Sequence, residues 1–237
     1  MRIVINHLTR MREGHICVAG VDLETGRHVR PVLPKSHLTP AFLARNRGPF
    51  DMARVVELGA PIPQPRKPHV EDHLFDLPRT RFLERMDAED FWALLVCTSR
   101  TKLCDIFGSE LRRAGTSSAC TDPGQGIASL GCLSLQRRPA LVCCQKGDSK
   151  TAIRMHIDDG QFSVWLPVTD LRLHKADHAT PDLQVVESVR RRLRGPGAVI
   201  LSVGLTRGYA SSTEPQPVHW LQVNNVHLES DPTWALG

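Results

Sequence analysis

Short β-rich runs separated by turn signals recur along the chain and are clearest in residues 129–173. Four apolar or alternating runs lie there, and the turn signals between them are Arg138-Pro139, Gly147-Asp148 and Asp158-Asp159-Gly160. This pattern predicts a meander of antiparallel strands. Because side chains alternate along a strand, Ile153, Met155 and Ile157 are expected on one face of the third run, opposite the polar side chains between them.

Two longer segments among these strands have helical patterns. Residues 87–99 begin with Asp87, a good N-cap, and acids follow in the first turn, where the helix dipole favours them. Residues 181–194 begin with a proline at the expected first helical position and end before Gly195-Pro196-Gly197. Residues 103–107 are interpreted as a short helical turn. Helix is therefore expected in about a fifth of the chain, below the average for globular proteins.

Charge and cysteine content restrict the class of protein. The formal net charge is +5, which favours anionic partners, chiefly nucleic acid. No apolar run reaches the roughly 18–20 residues that a membrane span requires, and the first ten residues lack the apolar region of a signal peptide. The seven cysteines show no disulfide-framework spacing, so we expect free thiols in a cytoplasmic protein. Nothing in the sequence indicates an oligomeric state.

Eight segments carry a family resemblance that extends from Met1 almost to Trp234. They are VINHLTRM, ICVAGVDLETGRHVRPVLP, PHVEDH, LCDIFGSEL, CTDPGQGIASLGCL, PVTDLRL, ILSVGLTR and HWLQVNNVHLE. In these segments the chain resembles bacterial proteins described as having a dual OB-containing domain. The resemblance implies two OB-like barrels side by side, and OB-folds often bind single-stranded nucleic acid or oligosaccharide on the barrel face.

The predicted fold is mainly β, with two OB-like Greek-key barrels and two helices, because strictly alternating βαβ units are absent. We expect an N-terminal barrel in residues 1–86 and a connector of helix and loop in residues 87–127. A C-terminal barrel that carries helix 181–194 is expected in residues 128–237.

Three groups of residues have suitable ligand chemistry but not the spacing of a known site. His69 and His73 would share a helical face, as zinc-binding pairs do, but the prolines before them favour an extended chain. Four cysteines lack the short spacing of structural zinc sites: Cys97, Cys104, Cys120 and Cys132. Gly124-Gln125-Gly126 is not part of a complete phosphate-binding loop. We therefore expect no metal and no cofactor, and the sequence assigns no catalytic residue.

The candidate binding surface is basic and lies near the end of the second helix and the two final strands. Its residues are Arg190, Arg191, Arg194, Arg207 and Trp220. Arginines at a helix C-terminus also complement the negative end of the dipole, and tryptophan is usually largely buried. Both the binding role and the structural role stay open for these residues.

The sequence favours a binding protein over an enzyme. The expected ligand is nucleic acid, preferentially single-stranded, or a nucleotide-containing molecule. The alternative is a nuclease or nucleotide-processing hydrolase with its site between the barrels. An enzyme should bring carboxylates or histidines together in one pocket, whereas a binding protein should show a basic groove with exposed aromatic rings.

Overall fold

The structure of the protein is a computed structural model, and it describes residues 1–146 and 150–234. The strands are Arg2–Arg10 (β1), Ile16–Asp22 (β2), His28–Val32 (β3), Arg54–Glu57 (β4), Ile62–Pro63 (β5), Asp72–Leu74 (β6), Arg81–Arg85 (β7), Ser99–Arg100 (β8), Arg112–Ala114 (β9), Ser118–Thr121 (β10), Leu130–Ser134 (β11), Ala140–Lys146 (β12), Lys150–Asp158 (β13), Ser163–Pro167 (β14), Val199–Leu205 (β15) and His219–Leu228 (β16). The helices are Ala88–Thr98 (α1), Leu103–Phe107 (α2) and Leu183–Arg194 (α3). Strand accounts for 42% and helix for 19%, which confirms the mainly β prediction.

The N-terminal strands form a seven-stranded sheet in the order β5-β6-β3-β2-β1-β4-β7. Strands β1, β2 and β3 are antiparallel neighbours, and β4 returns to pair with β1 on its other side. This spatial order is that of a Greek key. Strand β3 pairs in parallel with β6, and the sheet curls around an apolar core that includes Ile3, Ile5 and Val18.

The C-terminal strands curl around a second core. Strands β12, β13 and β14 form an antiparallel meander, and Ile153, Met155 and Ile157 are buried on one face as predicted. The meander was predicted to contain a fourth strand, which is β11. This prediction was wrong, because β11 pairs with β15 rather than with β12. A parallel bridge between Val168 and Val223 joins the end of the meander to β16. The predicted turn at Gly147-Asp148 lies outside the described residues.

The helix boundaries follow their caps. Asp87 caps α1 as predicted, since its side chain accepts a hydrogen bond from the Asp90 amide. Helix α3 begins at Leu183, two residues later than predicted, because Asp182 is the N-cap and Pro181 precedes it. The described residues contain three helices, and the third is the short α2, at the residues interpreted as a helical turn. In the part of the chain that the structure describes, no helix has the length and apolarity needed to cross a membrane.

The segment between the barrels packs against both of them. Phe91 and Leu95 of α1 are fully buried in the first core, which also includes Cys132 and Ile200 from the second half of the chain. Strand β8 pairs with β11, and β10 pairs with β16, so parts of this segment extend the second sheet. The boundaries 1–86, 87–127 and 128–237 stay a prediction.

The two barrels meet across β1 and β16, and we call the facing surfaces the seam. Strand β1 is buried along nearly its whole length, because one side faces its own core and the other faces the seam. The side chain of Asn225 accepts a hydrogen bond from the Leu8 amide at 2.7 Å and donates one to the Leu8 carbonyl at 3.0 Å. The Ser202 hydroxyl donates to the carbonyl of Asn6 at 2.8 Å. The barrels are therefore joined by buried polar contacts as well as by apolar packing.

Replacing Asn225 by alanine should lower the free energy of unfolding by about 2–4 kcal/mol, because it leaves the buried N–H and C=O of Leu8 unpaired. Urea denaturation measures the change. The control is Asn46→Ala, since Asn46 donates to the Pro40 carbonyl from an exposed loop. A loss in the Asn225 variant no larger than in the control would contradict the polar joining of the barrels.

Candidate nucleic-acid interface

Two loops from different barrels meet at one end of the seam. The loop between β1 and β2 contains a 3-10 turn at Arg12–Gly14, and the loop between β15 and β16 contains Tyr209. The guanidinium carbon of Arg12 lies 5.1 Å from the centroid of the Tyr209 ring. This distance is within the range of a cation–π interaction.

Tyr209 is the exposed aromatic ring at this end, and Trp220 lies against it. Tyr209 is 37% exposed, whereas Trp220 is 8% exposed. The Trp220 indole N–H donates to the Tyr209 carbonyl at 3.0 Å, and the two ring centroids are 5.9 Å apart. Trp220 packs in a small apolar cluster with Ala114, Cys120 and Val218. The buried tryptophan thus holds the tyrosine in place. The predicted role of Trp220 as a stacking platform stays a prediction.

Arg207 lies in the same loop and joins it to the first barrel. Its side chain is half-exposed and donates to Asp72 at 2.8 Å. The other oxygen of Asp72 accepts from the buried Arg30 at 2.6 Å. One carboxylate therefore accepts hydrogen bonds from two guanidinium groups.

A pair of histidines lies beside these arginines. His69 Nε2 is 3.3 Å from His219 Nδ1, which is itself 2.9 Å from the Thr206 carbonyl oxygen. A carbonyl only accepts, so His219 Nδ1 carries a proton and His69 Nε2 is the acceptor. The proton of neutral His69 then lies on Nδ1. That atom is buried and has no partner among the described residues.

Burial, together with the positive charges of Arg30, Arg207, His219 and Arg66, lowers the pKa of His69 to about 2. His69 is therefore neutral at pH 7. The guanidinium groups of Arg30, Arg207 and Arg66 therefore all lie within electrostatic reach of the His69 imidazole.

Two further buried polar atoms near His69 lack partners in the described chain. They are Arg30 Nη2 and the hydroxyl oxygen of Thr121, which is the residue opposite His219 in the pairing of β10 with β16. With His69 Nδ1, they are three potential donors contributed by both halves of the chain. All three atoms are buried, so they lie beneath the surface rather than on it.

The two carboxylates of this region are already engaged. Buried Glu71 accepts from the Ser129 amide at 2.7 Å, the Ser129 hydroxyl at 2.7 Å and the Leu130 amide at 3.1 Å. Asp72 accepts from its two arginines. The arrangement therefore has the chemistry of a basic binding surface rather than that of a free acid–base pair.

The structure places the predicted site residues in two groups. Arg207 and Trp220 lie together, since the Trp220 amide donates to the Thr206 hydroxyl at 2.9 Å. The arginines of α3 precede β15, whereas Arg207 follows it, and a strand of seven residues is about 20 Å long. Arg190 pairs with Glu187 at 3.4 Å, and Arg191 and Arg194 are exposed. The binding role of all five residues stays a prediction.

Sequence reasoning did not assign Arg12, Arg30, His69 or Tyr209 to a binding surface. One sequence feature could have identified Tyr209. It is the single tyrosine of the chain and lies in a polar, glycine-containing loop. The contacts of Arg30 and His69 depend on residues far away in the sequence, so no local pattern could have identified them.

Comparison with known proteins gives one finding. A family model described as a dual OB-containing domain matches residues 1–226 of the 237-residue chain. No curated protein and no solved structure matches.

The lowered pKa of His69 makes a prediction about acid stability. An unfolded histidine titrates near pH 6.5, so below that pH the unfolded chain takes up a proton that folded His69 does not. The free energy of unfolding should therefore fall as the pH decreases from about 6.5 toward 4. His69→Gln should reduce this slope by up to about 1 kcal/mol per pH unit, as measured by urea denaturation at several pH values. The exposed His37→Gln serves as control, and an unchanged slope in the His69 variant would contradict the assignment.

Proposed function

The chain belongs to the dual OB-containing domain family, and we propose that it binds nucleic acid, preferentially single-stranded, across one end of the seam between its barrels. A nucleotide-containing ligand would use the same donors and the same exposed ring. The net charge of +5 supports an anionic partner. The observation that carries the proposal is the exposed Tyr209 ring, held between Arg12 and Trp220 in the loop that also carries half-exposed Arg207.

The loops involved correspond to those that OB-folds use for oligonucleotides. In the second barrel the loop of Tyr209 joins β15 and β16, the last two strands. In the first barrel the loop of Arg12 joins the first and second strands. OB-folds bind through the loop between strands 1 and 2 and the loop between strands 4 and 5. Here one such loop from each barrel contributes to a single surface.

The chemistry of this surface favours a single strand. Stacking on an aromatic ring requires a base that is free of its neighbours, and every base offers such a face, so the contact tolerates sequence. Arginines beside the ring contact the phosphates. The Arg30 guanidinium is buried behind this surface and holds Asp72, which also binds Arg207.

The arginines of α3 form a second part of the proposal. They precede β15 and Arg207 follows it, and a strand of 4–16 nucleotides, the usual site size of one OB-fold, is long enough to span the roughly 20 Å length of β15. Arg191 and Arg194 are exposed and project from the last turn of the helix.

A second candidate function is hydrolysis of a phosphodiester or nucleotide at the seam. The observation in its favour is the contact between His69 and His219, since paired histidines serve as general acids and bases. The engaged carboxylates Glu71 and Asp72 argue against it. Cleavage of end-labelled single-stranded RNA or DNA by the wild type, lost in His69→Gln, would favour this function over binding alone.

The proposal also includes a reduced, cytoplasmic setting. All seven cysteines are free thiols, and Cys97 and Cys143 are exposed. Exposed thiols remain reduced in compartments buffered by glutathione and thioredoxin.

Tyr209→Leu should weaken binding to single-stranded DNA or RNA by about 1–3 kcal/mol, because it removes the surface on which a base stacks. Fluorescence anisotropy with labelled single-stranded and duplex oligonucleotides measures the affinity. Phe82→Leu is a matched control, since Phe82 is 45% exposed and has Arg54 over its ring at 4.2 Å. Equal losses in the two variants, or no loss in either, would contradict the proposed location.

Arg191→Ala combined with Arg194→Ala should weaken binding to all sequences alike and reduce its salt dependence. Each lost phosphate contact lowers the slope of log affinity against log salt by about 0.7 for a single strand. Arg12→Ala combined with Arg207→Ala should have the same effect at the other end. Arg79→Ala with Arg81→Ala removes two exposed charges elsewhere. An α3 variant that binds like this control would remove α3 from the proposal and leave the Tyr209 surface in place.

A further inference from the structure

We propose that His7, His28 and Cys132 bind a zinc ion that links the two barrels. One nitrogen from each histidine and the cysteine sulfur lie within 4.8 Å of one another. His7 is on β1 and His28 begins β3 in the first barrel, whereas Cys132 is on β11 in the second. A shared ion would therefore connect the barrels directly.

The spacing is close to that of a tetrahedral site. With Zn–N near 2.0–2.1 Å and Zn–S near 2.3 Å, ligand atoms around zinc lie about 3.3–3.6 Å apart. His28 Nε2 is 3.8 Å from Cys132 Sγ. The widest separation in the group requires a movement of about 1 Å, which side-chain rotation can supply. The donor set of two imidazoles and one thiolate suits zinc, a borderline-soft cation.

An unpartnered buried atom points independently to a ligand here. His7 is 1% exposed, and its Nε2 has no hydrogen-bond partner among the described residues. Its other nitrogen, Nδ1, is 3.0 Å from the Asn224 amide nitrogen. Metal-binding histidines commonly use one ring nitrogen for the ion and hold the other by a hydrogen bond. Once Nε2 binds the ion, the His7 proton lies on Nδ1. The amides of Asn224 and Gln222 then turn together, so that Asn224 Oδ1 accepts from His7 and Asn224 Nδ2 donates to Gln222 Oε1.

Asn6 supplies the remaining polar group of this cluster. Its amide nitrogen lies 3.2 Å from both Cys132 Sγ and His28 Nε2, and its Oδ1 is buried without a partner in the described chain. Turning this amide moves the nitrogen away and brings the oxygen toward the ion. The fourth position of the tetrahedron then belongs to Asn6 Oδ1 or to a water.

Binding would proceed with the loss of one proton. The Cys132 thiol releases its proton to solvent as the zinc–sulfur bond forms, and the zinc keeps its oxidation state. The proposal revises the sequence-based expectation that no cysteine takes part in metal binding. It is independent of the proposed nucleic-acid surface, because none of its residues belongs to that surface.

The test uses cobalt and zinc ions with the purified full chain. Cobalt should bind at one equivalent and produce the visible bands of a tetrahedral ion together with a thiolate-to-cobalt charge-transfer band. Added zinc should displace it, and zinc-loaded protein should melt several degrees higher than chelator-treated protein.

Cys132→Ser should lose the charge-transfer band, whereas Cys120→Ser, which alters an equally buried thiol elsewhere, should keep it. His28→Gln changes a half-buried side chain and provides a second variant if Cys132→Ser does not fold. The loss of an outer-shell partner weakens metal binding by about 10- to 100-fold. The loss of His28, a direct ligand, should weaken cobalt binding by more than that. Absence of the band in the wild type, or equal cobalt affinity in the wild type and in folded His28→Gln, would overturn the proposal.

Discussion

The relative position of the two barrels depends on the pairing of buried polar atoms between them. A buried group left without a hydrogen bond costs about 1–3 kcal/mol, and such a bond forms only within a few tenths of an ångström of its ideal length. Buried Glu71 shows the effect, since its carboxylate accepts from the Ser129 amide at 2.7 Å and from the Leu130 amide at 3.1 Å. Contacts of this kind fix the position of one barrel against the other far more closely than apolar packing alone. The loops of Arg12 and Tyr209 meet because the strands that carry them are held in this way.

The sequence predicted what depends on neighbours along the chain. The alternation of Ile153, Met155 and Ile157 follows from strand geometry, and the start of α1 follows from Asp87, so both were confirmed. The pairing of β11 was wrong because turn signals mark where strands end but not which strand lies alongside. The predicted start of α3 was wrong because residues two positions apart could each begin the helix, and the hydrogen bonds of Asp182 decide between them.

The candidate site was only partly predictable for the same reason. Arg207 stands out in sequence as a basic residue after a strand, but its partner Asp72 is 135 positions away. Trp220 and Tyr209 lie eleven positions apart, and only the fold shows that the first is buried under the second. The group of His7, His28 and Cys132 spans more than half of the chain, so no motif of fixed spacing could have revealed it.

The position of β1 between two barrels also sets the order in which its contacts form during synthesis. During synthesis β1 emerges first and can pair at once with β2 and β4, but Asn225 emerges more than two hundred residues later. Until then the outer face of β1, with Asn6 and the backbone of Leu8, has only water to satisfy its polar groups. N-terminal units fold first as a chain is made, and contacts between distant residues form slowly. The first barrel therefore exists for a time with this polar face exposed to water. A face that must be exposed in this way is better made of asparagine and histidine than of leucine.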